Sequence, residues 1–138
     1  MNLIELFYTI ENKIVHGASL KDCLLLLNSY EATDYKNYVN YTPEKYHRGI
    51  VMKTPQLELV VMSWSEGNET GFHGHPGECI FKVLDGKLHE ELLTENQPKM
   101  SVYNRGDIGY IDNSIGIHKV WANRKAITLH LYSPPFEK

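Results

Sequence analysis

From Tyr46 onward the chain is a succession of short apolar runs, each closed by glycine, asparagine, aspartate or proline. This texture constrains the fold more than any other feature of the sequence. The runs are residues 57–64, 79–84, 87–93, 106–111, 117–121 and 126–132. All are of strand length and none is separated from the next by a helical pattern, which predicts an antiparallel sandwich or barrel. Asp85-Gly86, between the second and third runs, is a two-residue hairpin signal.

The first third reads differently. Leu3, Ile4, Leu6, Phe7, Ile10 and Ile14 fall at helical spacing, and the pattern stops at His16-Gly17, with Gly17 placed for a C-cap. Ser19 can N-cap a second helix with its apolar body at residues 23–27. A third short helical piece is predicted over residues 34–40, closed by Tyr41-Thr42-Pro43. With 138 residues the chain suits one domain. Residues 1–45 are expected as a helical cap on the barrel formed by 46–138.

Charge and cysteine usage exclude several classes. The net charge is −3 and no basic block stands out, so neither nucleic acid nor an anionic membrane is expected as a partner. No apolar stretch is long enough to span a bilayer, and the N-terminus, with Glu5, is not built as a signal peptide. Cys23 and Cys79 lie far apart and are expected as thiols, as in a soluble cytoplasmic protein.

The chemistry centres on His73-Gly74-His75. On an extended segment, side chains at i and i+2 share a face with α-carbons about 6–7 Å apart. Two such imidazoles can converge on one ion at about 2.1 Å from each nitrogen. H-x-H alone is a weak signal. Its surroundings strengthen it. Gly67, five residues, His73-Gly74-His75, three residues, Cys79, six residues and Gly86 resemble the first cupin motif, with Cys79 where most cupins carry a glutamate ligand. Gly106 followed by residues 112–118, ending in His118, resembles the second motif. The resemblance implies a mainly β fold, a jelly-roll cupin barrel, with His73, His75 and His118 as metal ligands. Three neutral imidazoles leave the ion's charge uncompensated and coordination positions open, which suits an anionic thiolate and oxygen chemistry.

Within the cupins the chain resembles the cysteine dioxygenases. Trp64-Ser65-Glu66-Gly67, the segment from Cys79 to Gly86, the segment from Asp112 to His118, and Leu129-His130-Leu131-Tyr132-Ser133-Pro134-Pro135-Phe136 carry the likeness. It implies one iron(II) per chain, a small thiol amino acid and O2 as partners, oxidation of L-cysteine to cysteine sulfinic acid, and a monomer. It further implies that Arg48 pairs with the substrate carboxylate, with Tyr46 beside it. Tyr132 would be the active-site tyrosine, supported by His130 and by Thr128 where the family usually has serine. Cys79 matches a cysteine that can be thioether-linked to the tyrosine. Trp64 would pack near the pocket, and the Ser133–Pro134 peptide would be cis. The chain departs from the family at Gly74, usually aspartate, and in a segment from His75 to Cys79 one residue shorter than in the animal enzymes. It also stops soon after Phe136, without the family's C-terminal extension.

On the residues alone several alternatives stay open. Thr128, His130 and Tyr132 form one face of their strand, with Ile127, Leu129 and Leu131 on the other, and a polar face often meets water. If that face points into a barrel it makes a hydrogen-bonded row. A buried Arg48 would need an anion, which a substrate carboxylate can supply. Cys23 reads as a small core residue, and His16, His47 and His89 as surface residues, Glu90 and Glu91 beside His89 suggesting water. Competing functions are dioxygenation of 3-mercaptopropionate or cysteamine, hydrolase or lyase chemistry at zinc, and a cupin that binds metal without turnover.

Overall fold

The computed structural model describes residues 1–136. Its first helix, α1 (Leu3–Val15), starts from a capping box in which Asn2 and Glu5 satisfy each other's backbone N–H groups. It buries Leu3, Leu6, Phe7 and Ile10 and stops where Gly17 adopts a positive φ. Ser19 does act as an N-cap, but of a 3₁₀ turn, Leu20–Cys23, which runs into the short helix α2 (Leu24–Asn28). The third helical piece is a 3₁₀ turn, Asp34–Tyr38. No helix among the described residues is long and apolar enough to cross a membrane.

Among the described residues eight strands follow: β1 (His47–Lys53), β2 (Glu58–Trp64), β3 (Glu78–Asp85), β4 (Lys87–Leu93), β5 (Lys99–Asn104), β6 (Ile108–Asp112), β7 (Ile117–Trp121) and β8 (Ala126–Ser133). They form a five-stranded sheet, β1-β2-β8-β3-β6, and a three-stranded sheet, β5-β4-β7, with every pairing antiparallel. β1, a partly buried edge strand, was not among the expected runs, and neither was β5. β5 is an edge strand whose side chains are mostly exposed, so it carries little of the apolar signal that marks the others.

The larger sheet is buried on both faces. Outside, α1, α2 and the first 3₁₀ turn lay Leu3, Leu6, Phe7, Ile10, Leu20 and Leu27 on Leu59, Val61, Ile80, Leu129 and Leu131. Between the sheets, Val60, Met62, Trp64, Phe81, Val83, Leu88 and Val120 form a second cluster, together with Cys79 and Tyr132. This explains why β2 is buried at every position, with no alternation of apolar and polar residues. It also excludes a water-facing side for β8: the helices cover one face, and Thr128, His130 and Tyr132 point between the sheets.

One local expectation is overturned. Asp85-Gly86 does not close a β3–β4 hairpin. β3 pairs with β8 and β6, while β4 pairs with β5 and β7, so the turn is a corner by which the chain leaves one sheet and enters the other. The glycine signal reported a positive φ, here +74°, and not a pairing. A Cβ at residue 86 would also lie 2.5 Å from the Lys125 carbonyl oxygen, where the chain turns into β8.

Candidate metal centre

The three histidines converge from two segments. His118 lies on β7, and the segment before β3 is held against that strand by paired backbone hydrogen bonds between His73 and His118, each 2.9 Å. This bridge, and not a regular strand through His73-Gly74-His75, brings the rings together. Their centroids lie 5.0 Å apart for His73–His75, 4.6 Å for His73–His118 and 4.9 Å for His75–His118. One ligand atom from each falls within 4.8 Å of the others, and no other group of three ligating side chains does so among the described residues.

The hydrogen bonds prepare these rings for a cation. His118 Nδ1 lies 2.7 Å from Glu90 Oε2 and therefore donates to the carboxylate, which leaves Nε2 as the unprotonated nitrogen. That Nε2 is buried and has no hydrogen-bond partner. His73 Nδ1 donates to the Gly71 carbonyl at 3.1 Å. His75 is 4% exposed. Burial, reinforced by His118 and then His73, lowers its pKa from 6.5 to about 3, so the imidazole stays neutral over the whole physiological range. An orphaned buried imidazole nitrogen, a second ring held neutral and a carboxylate behind the third fit a divalent transition metal.

Glu90 corrects the expectation of a water-facing carboxylate. It is 5% exposed, accepts a hydrogen bond from Tyr103 Oη at 3.2 Å, and backs His118. Its parity gave the available signal: Leu88, Glu90 and Leu92 share one face of β4, and Leu88 is buried. His89, on the other face, stacks on Trp121.

A chain of polar groups runs from β2 to Tyr132. Trp64 Nε1 donates to Thr128 Oγ1 at 2.9 Å, and Thr128 Oγ1 lies 2.7 Å from His130 Nε2. The indole can only donate, so a fully satisfied buried threonine gives its own proton to Nε2. The His130 proton then sits on Nδ1, facing Tyr132 Oη at 3.5 Å and Cys79 Sγ at 4.0 Å. Burial, with Arg48 next, lowers the His130 pKa to about 3, so the relay is neutral. Burial likewise pushes the Tyr132 hydroxyl and the Cys79 thiol well up, keeping both protonated. Cys79 and Tyr132 are register partners on β3 and β8.

Arg48 closes the site from β1, its guanidinium 5.6 Å from the Tyr132 ring centroid and 5.9 Å from that of Phe136. The expectation left its anion to the substrate. The structure supplies a resident one, since Arg48 Nη2 donates to Glu58 Oε1 at 3.0 Å. Tyr46 packs on Trp64 with ring centroids 4.9 Å apart. Phe136 was singled out by no chemical argument, yet its ring lies 5.4 Å from His75 and 5.3 Å from Tyr132. The Ser133–Pro134 peptide before it is cis, as expected. Arg48, Tyr46, the three histidines, Cys79, His130 and Tyr132 all line one cavity of about 30 Å³. His16, His47, Cys23 and His89 stand apart from it.

A model of the family described as cysteine dioxygenase type I matches residues 14–138. The chain belongs to this family. It is 28% identical over 134 residues to cysteine dioxygenase type 1 of Homo sapiens, covering 86% of this chain and 67% of the human protein. It is 30% identical over 128 residues to that of Danio rerio, covering 81% of this chain and 64% of the relative. Among solved structures, a cupin superfamily protein from Desulfitobacterium hafniense superposes with a TM-score of 0.65 at 8% identity, covering 78% of this chain and 93% of its own. A conserved protein with a double-stranded β-helix domain from Klebsiella pneumoniae gives 0.64 at 19%, covering 77% and 91%. These likenesses establish the fold alone: a cupin barrel with helices packed on it.

Proposed function

We propose that the chain is an iron(II)-dependent thiol dioxygenase whose substrate is L-cysteine. The observation that carries this reading is the joint placement of three metal-ready histidines, an arginine and a neutral tyrosine around one cavity. Membership of the cysteine dioxygenase family supports iron as the metal and cysteine as the thiol.

Net, R–SH and O2 give R–SO2H, with both oxygen atoms added to sulfur. Iron(II) held by His73, His75 and His118 would supply the redox chemistry that lets oxygen react with a closed-shell thiolate. The protein's own groups do the rest. Neutral imidazoles contribute no negative charge, so a thiolate is the favoured counter-charge at the site. Arg48 uses one N–H on Glu58 and keeps an edge of its guanidinium for a substrate carboxylate. Tyr132, backed by His130, Thr128 and Trp64, presents a hydroxyl that stays protonated and can donate to the oxidising sulfur's substituents. A thioether between Cys79 and Tyr132, as the family resemblance implies, would join two strand neighbours.

Oxygen uptake by the iron-loaded protein with L-cysteine, 3-mercaptopropionate and cysteamine, in wild type and R48Q, tests the assignment. L-cysteine should be the best substrate. R48Q should raise KM for the two carboxylate thiols and spare cysteamine. Equal loss on all three thiols would make Arg48 structural, and no uptake with any thiol would end the dioxygenase reading.

A further inference from the structure

Lys82 lies on the face of β3 opposite Cys79 and Phe81, beneath the helical cap, and is 7% exposed. Its ammonium donates to the carbonyl oxygens of Asn28 at 2.7 Å and Tyr30 at 2.9 Å, where α2 ends. A cation is favourable at a helix end, which accounts for two of its three N–H groups. The third has no partner among the described residues, and no carboxylate there comes within ion-pair distance of the nitrogen. Burying an ammonium without a counter-charge is unfavourable.

Lys82 and Arg105 line one cavity of about 320 Å³ between the cap and the barrel. Arg105 is exposed and makes no hydrogen bond or ion pair to any described residue. Both walls are fixed. The turn that carries Arg105 is fastened to β3 beside Lys82: the Gly106 N–H donates to the Val83 carbonyl at 2.8 Å, and the Val83 N–H to the Asp107 carbonyl at 3.0 Å. On the cap side, Tyr30 Oη donates to Asp34 Oδ1 at 2.6 Å and accepts from the Tyr35 backbone N–H at 3.1 Å. Ala32, Tyr35 and Leu84 add apolar surface to the lining, and Glu31 is its acid, so two cations face one carboxylate.

We propose that this cavity binds a small organic monocarboxylate, with its charged end between Lys82 and Arg105 and its apolar body against Tyr35 and Leu84. The carboxylate accepts the third N–H of Lys82 and supplies the missing counter-charge. Glu31 leaves an excess of a single positive charge in the lining, which favours a monoanion over phosphate. The site shares no lining residue with the cavity at the histidines, from which β3 divides it.

Calorimetric titration of iron-loaded protein under argon with benzoate, its uncharged counterpart benzamide, and inorganic phosphate tests the proposal. Benzoate should bind at least about tenfold more tightly than either of the others. K82M should weaken benzoate at least about tenfold, and R105Q, on an exposed turn, about threefold, while R48Q should leave it unchanged. Should K82M fail to fold, the comparison of R105Q with R48Q decides. Equal affinity for benzoate and benzamide overturns the inference, and phosphate binding more tightly than benzoate does so too. Benzoate binding that R48Q weakens and R105Q does not would place the carboxylate at Arg48 and overturn it equally.

Discussion

Glu90 offers the most direct way to perturb the metal centre without touching a ligand. Its carboxylate accepts the Nδ1–H of His118 at 2.7 Å in a site where both side chains are almost wholly buried. That bond fixes the ring's tautomer, orients Nε2 toward His73 and His75, and makes the imidazole a stronger donor. A hydrogen bond to a charged group contributes about 1.5–3 kcal/mol. In E90Q the amide oxygen can still accept from Nδ1, so the tautomer survives and only the charge is lost. About half of the contribution should go, on the order of 1.4 kcal/mol, or tenfold in metal affinity. E90A removes the acceptor and leaves a buried N–H unpaired, and the loss should approach about a hundredfold. Tyr103→Phe removes only the phenol that supports the far oxygen and should cost at most about threefold. Chelator competition gives the dissociation constant of iron(II) for each variant, with circular dichroism to check the fold. Unchanged affinity in both E90Q and E90A would refute the claim that Glu90 tunes the site.

Three further expectations follow from particular side chains. His130 has its pKa lowered from 6.5 to about 3, so its neutral form stabilises the fold above pH 6.5 and that stability is lost as the pH falls toward 3. Unfolding free energies of the metal-free protein from urea titrations should decline over this window by up to about 1.4 kcal/mol per pH unit more in wild type than in H130Q, and parallel profiles would contradict the assignment. Gly86→Ala combines a positive φ with a Cβ 2.5 Å from the Lys125 carbonyl, and should cost about 2 kcal/mol or more by denaturant unfolding; a cost under about 0.5 kcal/mol would show that the corner relaxes freely. The cavity of about 30 Å³ holds no more than about two waters, and the Phe136 ring lines it 5.4 Å from His75, so Phe136→Ala should enlarge it and speed the association of L-cysteine with the iron-loaded protein in anaerobic stopped flow. An unchanged rate would mean that thiols enter by another path.

What could be read in the sequence was what depends on spacing and composition. The strand runs are marked by apolar content, and the three histidines by a resemblance to two motifs whose glycines fall at matching intervals, so both the barrel and the grouping of His73, His75 and His118 were legible before any coordinates. The Thr128-His130-Tyr132 row was visible by parity, although its burial was not, because that depends on helices from the far end of the chain covering the opposite face of β8. Pairing was less legible. Asp85-Gly86 signals a backbone conformation, and the same positive φ serves a hairpin and a corner between sheets equally well. The buried acids were missed for a related reason. Glu58 and Glu90 look like ordinary solvated carboxylates until strand pairing brings Arg48 of β1 and His118 of β7 to within 3.0 Å of them. β5 was missed because an exposed edge strand needs few apolar residues.

The proposed function stands or falls on whether His73, His75 and His118 hold iron for thiol oxidation. Metal content of protein purified from its own cells, measured together with the product formed from L-cysteine and isotopically labelled oxygen, tests it most directly. One iron per chain is expected, with cysteine sulfinic acid carrying both labelled oxygen atoms. Zinc in the site, with iron-loaded protein that forms no sulfinate, would contradict it.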